Sequence, residues 1–468
     1  MAISMVLLKP FKLIAILTLT VSLSACTSTQ QEKSLPQLQP SSFAGIRGMT
    51  PKDDFVYGLA LSPTGDRLYF GGSSDGLPGS DNLDAFVGSL NPRTGFGIPP
   101  FPIFQKSGQK PKDREDEITD IEVGSPSGSI FVSGSTESSI FFEPNTSREH
   151  ASFFARLNEN GGTVWHHQTP LDIEKIQVNT EMGQEYLYVL LRNSSKQTSW
   201  IQKYNADTGT IVETYTPWLD TAIHKSFENC KVKIPDAPNC ALEVEDFTLS
   251  KTGQLYALVS VFTPYGSSNF FTLGVISYET SGLFYSSSII NKEILSDVNA
   301  NIAIFEDPQE GDSSLYISYT GSRIWASIDI SRMIAIEKWP LYFGKLYNNS
   351  CHNIQKKDRI SWPEKYHHLS VDQEGSFIVS TFEFDSFATG FYHSEPVISK
   401  YNKRCELVWR VPMGESGSGI RDLNVDKWTN DIFVAGNSMN SDPLGGLPNG
   451  QNDLWINRIE GKTGKIIW

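Results

Sequence analysis

Short apolar runs, each about four to six residues long, recur from about residue 54 to residue 468 of this chain. Within a run the apolar residues often alternate with polar ones, and Gly- or Asp-containing turns separate successive runs. A period of two residues is typical of a β-strand that buries one face. No apolar stripe with a 3.6-residue period is sustained outside the N-terminal segment. The pattern therefore predicts an all-β chain.

The runs group into a unit of four strands that recurs seven times. The second copy shows the unit clearly, with strands over residues 120–123, 130–134, 153–158 and 163–165 and turns over 125–128 and 160–162. Four strands per repeat is the pattern of a propeller blade, which is stabilised by stacking against its neighbours. We predict a seven-bladed β-propeller of four-stranded antiparallel blades, and a pair of β-sandwiches is the alternative. The predicted blades span residues 54–108, 117–170, 174–217, 244–290, 298–340, 365–412 and 419–468.

Two copies depart from this regularity. In the fifth copy the strands are predicted over residues 315–318 and 324–328, and this copy is the least regular. The last copy has its fourth strand at residues 466–468, where the given sequence stops. The ring therefore closes either with a complete final blade or with help from residues 40–53.

The repeat resembles that of the bacterial seven-bladed β-propeller repeat family. The sequence Asp-Ala-Phe-Val at residues 84–87 matches the core of that repeat, and Asp-Leu-Trp-Ile at residues 453–456 is a looser match. A Gly-Leu-Pro sequence precedes both, at residues 76–78 and 446–448. The resemblance covers roughly residues 54–468 and implies a propeller fold. It assigns no reaction.

A second resemblance is to quinoprotein-like propellers. The sequences Asp-Thr-Gly at residues 207–209 and Lys-Thr-Gly-Lys-Ile-Ile-Trp at residues 462–468 are similar to their Asp-x-x-Thr-Gly-x-x-x-Trp unit. The outer-membrane assembly lipoprotein of the BamB type has this unit, a lipid anchor and eight blades. Only the last copy here keeps the full ending, and seven copies are counted.

The N-terminus predicts a lipid anchor. Lys9 and Lys12 precede an apolar run over residues 13–23, which is too short for the ~20 residues that a membrane-spanning helix needs. The following Leu-Ser-Ala-Cys at residues 23–26 resembles the lipobox of bacterial lipoproteins, which implies cleavage after residue 25 and acylation of Cys26. The residue after the cysteine is Thr27. In such lipoproteins an Asp at this position implies the inner membrane, so Thr27 implies the outer membrane. The side of that membrane on which the protein lies stays open. Residues 1–25 are thus the predicted signal peptide, and 26–53 the lipidated cysteine and flexible tether.

Charge and cysteine content narrow the classes of partner. The net charge is −14 at pH 7, which argues against nucleic acid and anionic lipid surfaces as partners bound through bulk charge. The lipid on Cys26 is the expected contact with the membrane, and the domain is expected to be a monomer. Four further cysteines suggest two disulfides in an exported chain, Cys230 with Cys240 and Cys351 with Cys405, against the alternative of free buried thiols.

The sequence contains no recognisable catalytic constellation, and we expect a non-enzymatic protein without a cofactor. The pairs His166–His167 and His367–His368 fall on predicted strands, where neighbouring side chains point to opposite faces and cannot chelate one metal. An oxygen-rich loop with Asp75, Asp81, Asn82 and Asp84 could hold calcium, although Asp is also an ordinary turn former. We therefore assign no metal site.

Loops between the second and third strands of the blades emerge on one face of a propeller and form the predicted binding face. Exposed aromatics there can mark a contact with protein or glycan, or can equally plug the channel. The candidate residues are Asp75, Asp81, Asp84, Phe141, Phe142, Tyr265, Phe384, Phe387, Tyr392 and Asp453.

These features predict a lipid-anchored binding or interaction module of the cell envelope, with an unidentified protein or glycan partner. One alternative is a BamB-like scaffold in outer-membrane protein assembly. The other is a propeller enzyme that acts on envelope or extracellular polysaccharide.

Overall fold

The computed structural model describes residues 46–47, 53–75, 83–98, 103–104, 115–137, 151–195, 198–217, 241–265, 268–281, 283–294, 299–306, 313–325, 329–342, 345–346, 368–384, 394–413, 419–438 and 452–468. The chain divides into two units, residues 1–39 and 40–468, and all the described residues belong to the second. Apart from Pro217, a single position with 3-10 helical geometry, these residues lie in strands, turns and irregular segments.

 No α-helix is present in this described part of the chain, and none of its segments is a helix long and apolar enough to cross a membrane.

The described strands form seven four-stranded antiparallel sheets, numbered here in chain order. Sheet 1 contains β2 (Asp54–Leu61), β3 (Leu68–Ser74), β4 (Asp84–Leu90) and β5 (Ile103–Phe104). Sheet 2 contains β6 (Asp116–Val123), β7 (Ile130–Thr136), β8 (Ala151–Leu157) and β9 (Thr163–Thr169). Sheet 3 contains β10 (Asp172–Glu181), β11 (Gln184–Asn193), β12 (Thr198–Asn205) and β13 (Ile211–Tyr215).

The remaining sheets follow the same order along the chain. Sheet 4 contains β14 (Ala241–Leu249), β15 (Leu255–Tyr265), β16 (Ser268–Tyr278) and β17 (Phe284–Ile294). Sheet 5 contains β18 (Asn299–Glu306), β19 (Ser313–Trp325), β20 (Asp329–Tyr342) and β21 (Lys345–Leu346). Sheet 6 contains β22 (Leu369–Val371), β23 (Phe377–Phe384), β24 (Ser394–Tyr401) and β25 (Leu407–Pro412). Sheet 7 contains β26 (Gly419–Val425), β27 (Ile432–Ser438), β28 (Asp453–Ile459) and, from the N-terminal side, β1 (Ile46–Arg47).

Each of the first six sheets is an up-and-down meander, because every strand pairs with the next strand in the chain. Tight turns with a left-handed glycine connect several of these pairs, as at Gly65 (φ 68°) between β2 and β3 and Gly209 (φ 70°) between β12 and β13. A residue without a Cβ adopts this conformation without steric penalty. The all-β antiparallel fold predicted from the sequence is confirmed.

Apolar side chains between the sheets form the core. Seven buried clusters are found among the described residues, and six of them each join two sheets that follow one another in the chain. The remaining cluster joins sheet 7 to sheet 1, where Phe433 and Leu454 pack with Phe70 and Phe86. The first strands of successive sheets also contact one another, and β26 contacts β2 in the same way. The sheets therefore pack in cyclic order.

On its outer side, strand β28 of sheet 7 pairs with residues from both ends of the described chain. Ile46 and Arg47 pair with Ile456 and Trp455 of β28. Nearer the end of β28, Ile466 forms a bridge with Ile459, and the backbone N–H of Arg458 donates to the carbonyl of Trp468 at 2.8 Å. The sequence left open how this sheet is completed, and N-terminal residues do contribute to it.

The fifth copy differs from the sequence-based prediction. Strands are predicted over residues 315–318 and 324–328, but residues 315–318 and 324–325 both lie in the single long strand β19, and residues 326–328 lie outside the described part of the chain. Between them, Gly321 and Ser322, residue types that favour turns, pair with Met333 and Arg332 of β20. Pairing along the whole strand keeps their backbone groups hydrogen-bonded, which outweighs the local turn preference.

Candidate functional site

The first strands of five sheets carry a bulge at the same place. The register shifts fall at Val56/Gly58, Ile118/Asp120, Ile173/Lys175, Val244/Asp246 and Ile420/Asp422. A bulge inserts one unpaired residue and turns the next side chain away from its regular direction. In these strands it places a glycine, a lysine or an aspartate where neighbouring first strands meet.

Three aspartates at this position bridge neighbouring sheets. Each carboxylate accepts one hydrogen bond from the next residue of its own strand and one from a backbone N–H of the following sheet. For Asp120 the donors are Ile121 N and Ile176 N, both at 2.8 Å. For Asp246 they are Phe247 N at 2.7 Å and Ile302 N at 2.9 Å. For Asp422 they are Leu423 N at 2.7 Å and Leu59 N at 2.6 Å. The bridges join sheet 2 to 3, sheet 4 to 5 and sheet 7 to 1. Each such hydrogen bond contributes about 0.5–1.5 kcal/mol when the carboxyl is neutral and about 1.5–3 kcal/mol when it is charged.

Sheets 1 and 3 have a different residue at the bulge. The Nζ of Lys175 lies 2.7 Å from Asp246 Oδ1 and donates to the carbonyl of Phe247 at 2.9 Å, so the lysine joins sheet 3 to sheet 4. A Cβ on Gly58 would lie 2.9 Å from the backbone nitrogen of Ile121 and 3.1 Å from Cα of Asp120. Sheets 1 and 2 therefore approach too closely at Gly58 for a side chain.

Acidic groups near these bridges interact with one another. Burial raises the pKa of Glu122 to about 8, and the neighbouring charge of Asp120 adds to the shift. Burial, followed by the charge of Asp120, likewise raises the pKa of Asp422 to about 8. The pKa of Asp120 rises to about 6, mainly through burial. Burial lowers the pKa of Lys175, but the charge and hydrogen bond of Asp246 outweigh it and leave that pKa above its usual value.

A second cluster of ionisable side chains lies where sheets 3 and 4 meet. The guanidinium of Arg192 is 3.2 Å from Glu174 and 3.8 Å from both Glu243 and Glu245. Burial raises the pKa of Glu245 to about 7, although a hydrogen bond from the hydroxyl of Ser260 and the charge of Arg192 oppose that shift. The described residues contain no group of three His, Cys, Asp or Glu that could hold a metal ion.

Four of the predicted binding-face residues lie at ends of hairpins between second and third strands. They are Asp84 at the start of β4, Tyr265 at the end of β15, Phe384 at the end of β23 and Asp453 at the start of β28. Asp75 follows β3, and its N–H donates to the carbonyl of Asp53 at 3.2 Å. Asp453 is only 8% exposed, whereas Asp84 is partly exposed.

These hairpins gather at one end of the sheets. The N–H of Asp116, which begins sheet 2, donates to Leu83 in the β3–β4 connection at 3.0 Å. The N–H of Asp54, which begins sheet 1, donates to Asn452 in the β27–β28 connection at 2.9 Å. The turns between first and second strands contact one another at the other end, as where Gln373 N donates to Asn430 Oδ1 at 3.3 Å.

Other predicted site residues lie outside the described part of the chain. They are Asp81, Phe141, Phe142, Phe387, Tyr392, Cys26, Cys230, Cys240 and Cys351. Cys405 is disulfide-bonded, and its partner also lies outside the described residues. The pairing of Cys405 with Cys351 stays a prediction.

The histidines do not form a metal site in the described residues. His166 and His167 lie on β9, as predicted, and His167 Nε2 is 2.8 Å from the carbonyl of Gly209 on the next sheet. His368 lies directly before β22 rather than in a strand, and its Nδ1 is 3.9 Å from Asp422 Oδ1. His367 lies outside the described residues.

The Thr-Gly turns noted in the sequence have a structural role. The carbonyl of Ala206, at the turn of sheet 3, accepts hydrogen bonds from Trp165 Nε1 at 2.9 Å and from Arg156 at 3.2 Å, both on sheet 2. The carbonyl of Gly461 in sheet 7 accepts from Trp409 Nε1 at 3.0 Å and Lys400 Nζ at 2.8 Å on sheet 6. The tryptophans of the fourth strands thus hold neighbouring sheets together.

Sequence reasoning missed the three bridging aspartates. A signal was present, because each follows a polar residue and precedes an apolar one within a first strand, as Thr-Asp-Ile, Glu-Asp-Phe and Arg-Asp-Leu. The bulge that aims them at the next sheet has no comparable signature. Their role depends on contacts between residues about 56 and 363 positions apart.

No protein-family model matches the chain, and no curated protein matches its sequence. Several solved structures are similar in fold. One is the Dos1 propeller, with 10% identity, a TM-score of 0.44 and coverage of 89% of this chain and 95% of the other. The propeller domain of the Trilobed protease from Pyrococcus furiosus has 9% identity, a TM-score of 0.46 and coverage of 89% and 98%. The polysaccharide lyase Uly1 has 9% identity, a TM-score of 0.45 and coverage of 88% and 99%.

At these values of identity and TM-score, no role is carried over from the similar structures. The repeated antiparallel sheets, packed face to face in chain order, place the chain among β-propeller proteins. The repeat organisation predicted from the sequence agrees with this class of fold.

Proposed function

We propose that this protein is a lipid-anchored, seven-bladed β-propeller that binds a protein or glycan of the cell envelope without catalysing a reaction. The seven four-stranded sheets and their cyclic packing support seven blades. The lipobox-like sequence ending at Cys26 supports an anchor in the outer membrane. The anchor holds the propeller at the membrane, and one end of the propeller contacts the partner.

The gathering of the hairpins at one end is the observation that carries the binding role. Loops held by a rigid scaffold are common binding elements, because the scaffold reduces the entropy lost on binding. Asp84, Tyr265 and Phe384 mark the bases of these loops. Aromatic residues in such loops supply large contact areas to a protein or a sugar ring.

The binding role is tested by crosslinking the full chain in native membranes and recovering it after solubilisation. The variant Tyr265→Ala/Phe384→Ala should recover at least about tenfold less partner, a change of ~1.4 kcal/mol in binding. Phe96→Ala is the matched control, because Phe96 is 69% exposed in a turn between third and fourth strands, away from these hairpins. Equal recovery with all three proteins would refute binding through this face. Binding of purified protein to envelope polysaccharide separates a glycan from a protein partner.

The anchor is tested independently by palmitate labelling. The wild-type chain should incorporate labelled palmitate and fractionate with the outer membrane, whereas Cys26→Ser should do neither. Labelling of Cys26→Ser equal to that of the wild type would exclude acylation at this residue.

Apolar residues on outer strands favour a second candidate, a BamB-like assembly scaffold. Ile211 and Val212 at the start of β13 are 57% and 50% exposed, and Leu407 and Val408 at the start of β25 are 55% and 47% exposed. An edge strand can pair with a strand of another protein. This scaffold predicts that Val212→Lys and Val408→Lys abolish recovery of barrel-assembly proteins, while Tyr265→Ala/Phe384→Ala leaves it unchanged.

A further inference from the structure

We infer that an exposed basic patch at one end of the propeller contacts the surface of an anionic phospholipid bilayer. The patch is formed by Arg93, Lys427, Trp428, Lys462 and Lys465, which lie in turns of sheets 1 and 7. These turns follow β4 and β28 or connect β26 to β27, so they lie opposite the hairpins of the predicted binding face, at what we call the turn end. The inference goes beyond the proposed binding role, because it adds a second contact with the membrane to the proposed lipid anchor.

One largely buried ion pair holds the three turns of the patch together. Arg458 on β28 donates from Nε and Nη2 to Oδ2 of Asp431, at 2.9 and 2.5 Å. Nη1 of the same arginine donates to the carbonyl of Pro92, in the turn that follows β4, at 3.1 Å. The other oxygen of Asp431 accepts from the N–H of Gly461, in the turn that follows β28, at 3.0 Å. The turns therefore hold the patch in one arrangement before any ligand binds.

Trp428 is the aromatic side chain of the patch. It is 68% exposed in the turn between β26 and β27, and Nζ of Lys427 lies 5.4 Å from the centre of a ring of this tryptophan. The ring also packs on sheet 1, because a Cβ added to Gly65 would lie 3.1 Å from Trp428 Cδ1. At a membrane–water interface a tryptophan ring lies at the level of the head groups, and lysine ammonium groups reach the lipid phosphates. An exposed tryptophan beside lysines fits that environment.

The patch is basic although the whole chain has a net charge of −14. In the turns of sheets 7 and 1 at the turn end, the exposed charged residues are the four cations of the patch and one anion, Asp66. The described turns of sheets 2, 3 and 4 at this end instead expose one cation, Lys251, and three anions, Glu159, Asp207 and Glu279, while those of sheet 6 expose two of each. This asymmetry turns sheets 7 and 1 toward a negatively charged surface and the acidic turns away from it.

The direction of β1 favours a bilayer as the charged surface. Ile46 and Arg47 of β1 pair antiparallel with β28, which runs from Asp453 at the hairpins to Ile459 at the turn end. β1 therefore runs from the turn end toward the hairpins, and the sequence before it leads back to Cys26. The proposed anchor thus favours the turn end as the end that faces the membrane, with the hairpins directed away from it. This step rests on the proposed anchor, whereas the exposure and charge of the patch do not.

Lysine acetylation of the full chain in vesicles tests the patch. The purified protein is reconstituted into vesicles of phosphatidylcholine alone and of an equimolar mixture with phosphatidylglycerol, labelled at low salt with an uncharged reagent and analysed by mass spectrometry. Acetylation of Lys427, Lys462 and Lys465 should be at least about fivefold slower on the anionic vesicles. About 1 M salt, which shortens the Debye length to about 3 Å, should remove most of this difference. Lys251, in an exposed turn of sheet 4 across the ring, is the internal control and should change by less than about twofold.

Charge reversal tests whether the cations of the patch cause the protection. In Lys462→Glu/Lys465→Glu, the acetylation rate of Lys427 on anionic vesicles should come within about twofold of its rate on neutral vesicles. Lys251→Glu is the matched control, and it should leave Lys427 as protected as in the wild type. All these lysines are exposed, and the comparison of the two vesicles in the wild type needs no variant.

Three outcomes would overturn the inference. The first is equal acetylation of the patch lysines on the two kinds of vesicle, and the second is undiminished protection of Lys427 in Lys462→Glu/Lys465→Glu. The third is protection in isolated outer membranes that neither vesicle reproduces, which would assign the patch to a protein partner. Absence of palmitate labelling would refute the anchor instead, so failure of the anchor and failure of the patch are distinguishable.

Discussion

The carboxylate of Asp422 accepts a hydrogen bond from the backbone N–H of Leu59 at 2.6 Å, although the two residues lie 363 positions apart in the chain. This contact joins the first strand of the last sheet to the first strand of the first sheet. Asp120 and Asp246 make the same contact between sheets that adjoin in the chain. The same arrangement, an aspartate after a bulge, therefore joins sheets that adjoin in the chain and also joins the last sheet to the first.

Removing Asp246, the bridging aspartate that pairs with Lys175, should destabilise the protein. Asp246→Ala deletes two backbone hydrogen bonds and leaves Lys175 without its partner at 2.7 Å. We expect a loss of about 2–4 kcal/mol in the free energy of unfolding, because two hydrogen bonds to the carboxylate are lost and Lys175, whose side chain is 32% exposed, loses its nearest counter-charge. Urea denaturation measures the change. Asp207→Ala is the comparison, since its ion pair with Arg156 is 61% exposed on the aspartate side and contributes at most about 1 kcal/mol. Equal losses in both variants would contradict the assignment.

The ion pair of Lys400 and Asp372 should behave as a buried pair. Their side chains are 6% and 0% exposed, and Nζ lies 2.7 Å from Oδ2. Lys400→Met leaves the carboxylate without its cation and removes the hydrogen bond to Gly461. We expect a loss of about 3–5 kcal/mol in urea denaturation.

A double variant and a surface variant separate this effect from general damage. Lys400→Met/Asp372→Leu should recover part of the loss, because no isolated buried charge remains. Lys403→Met, at an exposed turn position, should change stability by less than about 0.5 kcal/mol. No recovery in the double variant would mean that packing, rather than charge, accounts for the loss.

The sequence predicted the strands better than the contacts between sheets. The strand expected over residues 130–134 is β7, which extends to Thr136. This succeeds because alternation and turn glycines act within a few residues of each other. The same local rules placed a break within β19, where cross-strand pairing with β20 keeps the strand continuous.

The charged inner positions could not be predicted for a related physical reason. Asp422 and Glu122 look like ordinary polar residues of half-exposed strands, and only the packing of sheets 7, 1 and 2 brings their charges together. Of the predicted binding-face residues, Asp84 and Asp453 occupy similar hairpin positions, yet Asp453 is 8% exposed. Exposure depends on neighbouring sheets, which a repeat pattern does not specify.

Glycine at the turn of sheet 3 should be required for packing as well as for backbone conformation. Gly209 has φ 70°, and a Cβ there would lie 3.0 Å from Trp165. Gly209→Ala should lower the thermal midpoint by more than Gly128→Ala, because Gly128 has φ 68° but no atom within 4 Å of an added Cβ. Backbone strain should account for about 1 kcal/mol in both variants, and displacement of Trp165 for about 1–2 kcal/mol more in Gly209→Ala. Equal midpoints would show that Trp165 adjusts freely.

Glu245 should make the stability of the sheet 3–sheet 4 contact depend on pH. Burial is the largest cause that raises its pKa to about 7, and repulsion from Glu243 and Glu174 adds to the shift. Since the folded pKa exceeds the unfolded value of about 4.3, the stabilisation is complete below that value and is lost as the pH rises through 7. Glu245→Gln should therefore weaken the fall in unfolding free energy between pH 5 and pH 8, by about 1–2 kcal/mol over that range.

The control is Glu279→Gln, because Glu279 is exposed in a turn of sheet 4 and should leave the slope unchanged. Denaturant titrations at each pH give the slope for the three proteins. Both variants should reduce the slope from about pH 5 upward. The effect of Glu245→Gln should end near pH 7 and that of Glu122→Gln near pH 8, because each carboxyl differs in bound protons between the folded and unfolded protein only up to its folded pKa. The two groups lie on different sheet contacts, so their effects should add in the double variant within about 0.5 kcal/mol. A double variant with the slope of either single variant would show instead that both carboxyls titrate as one coupled group.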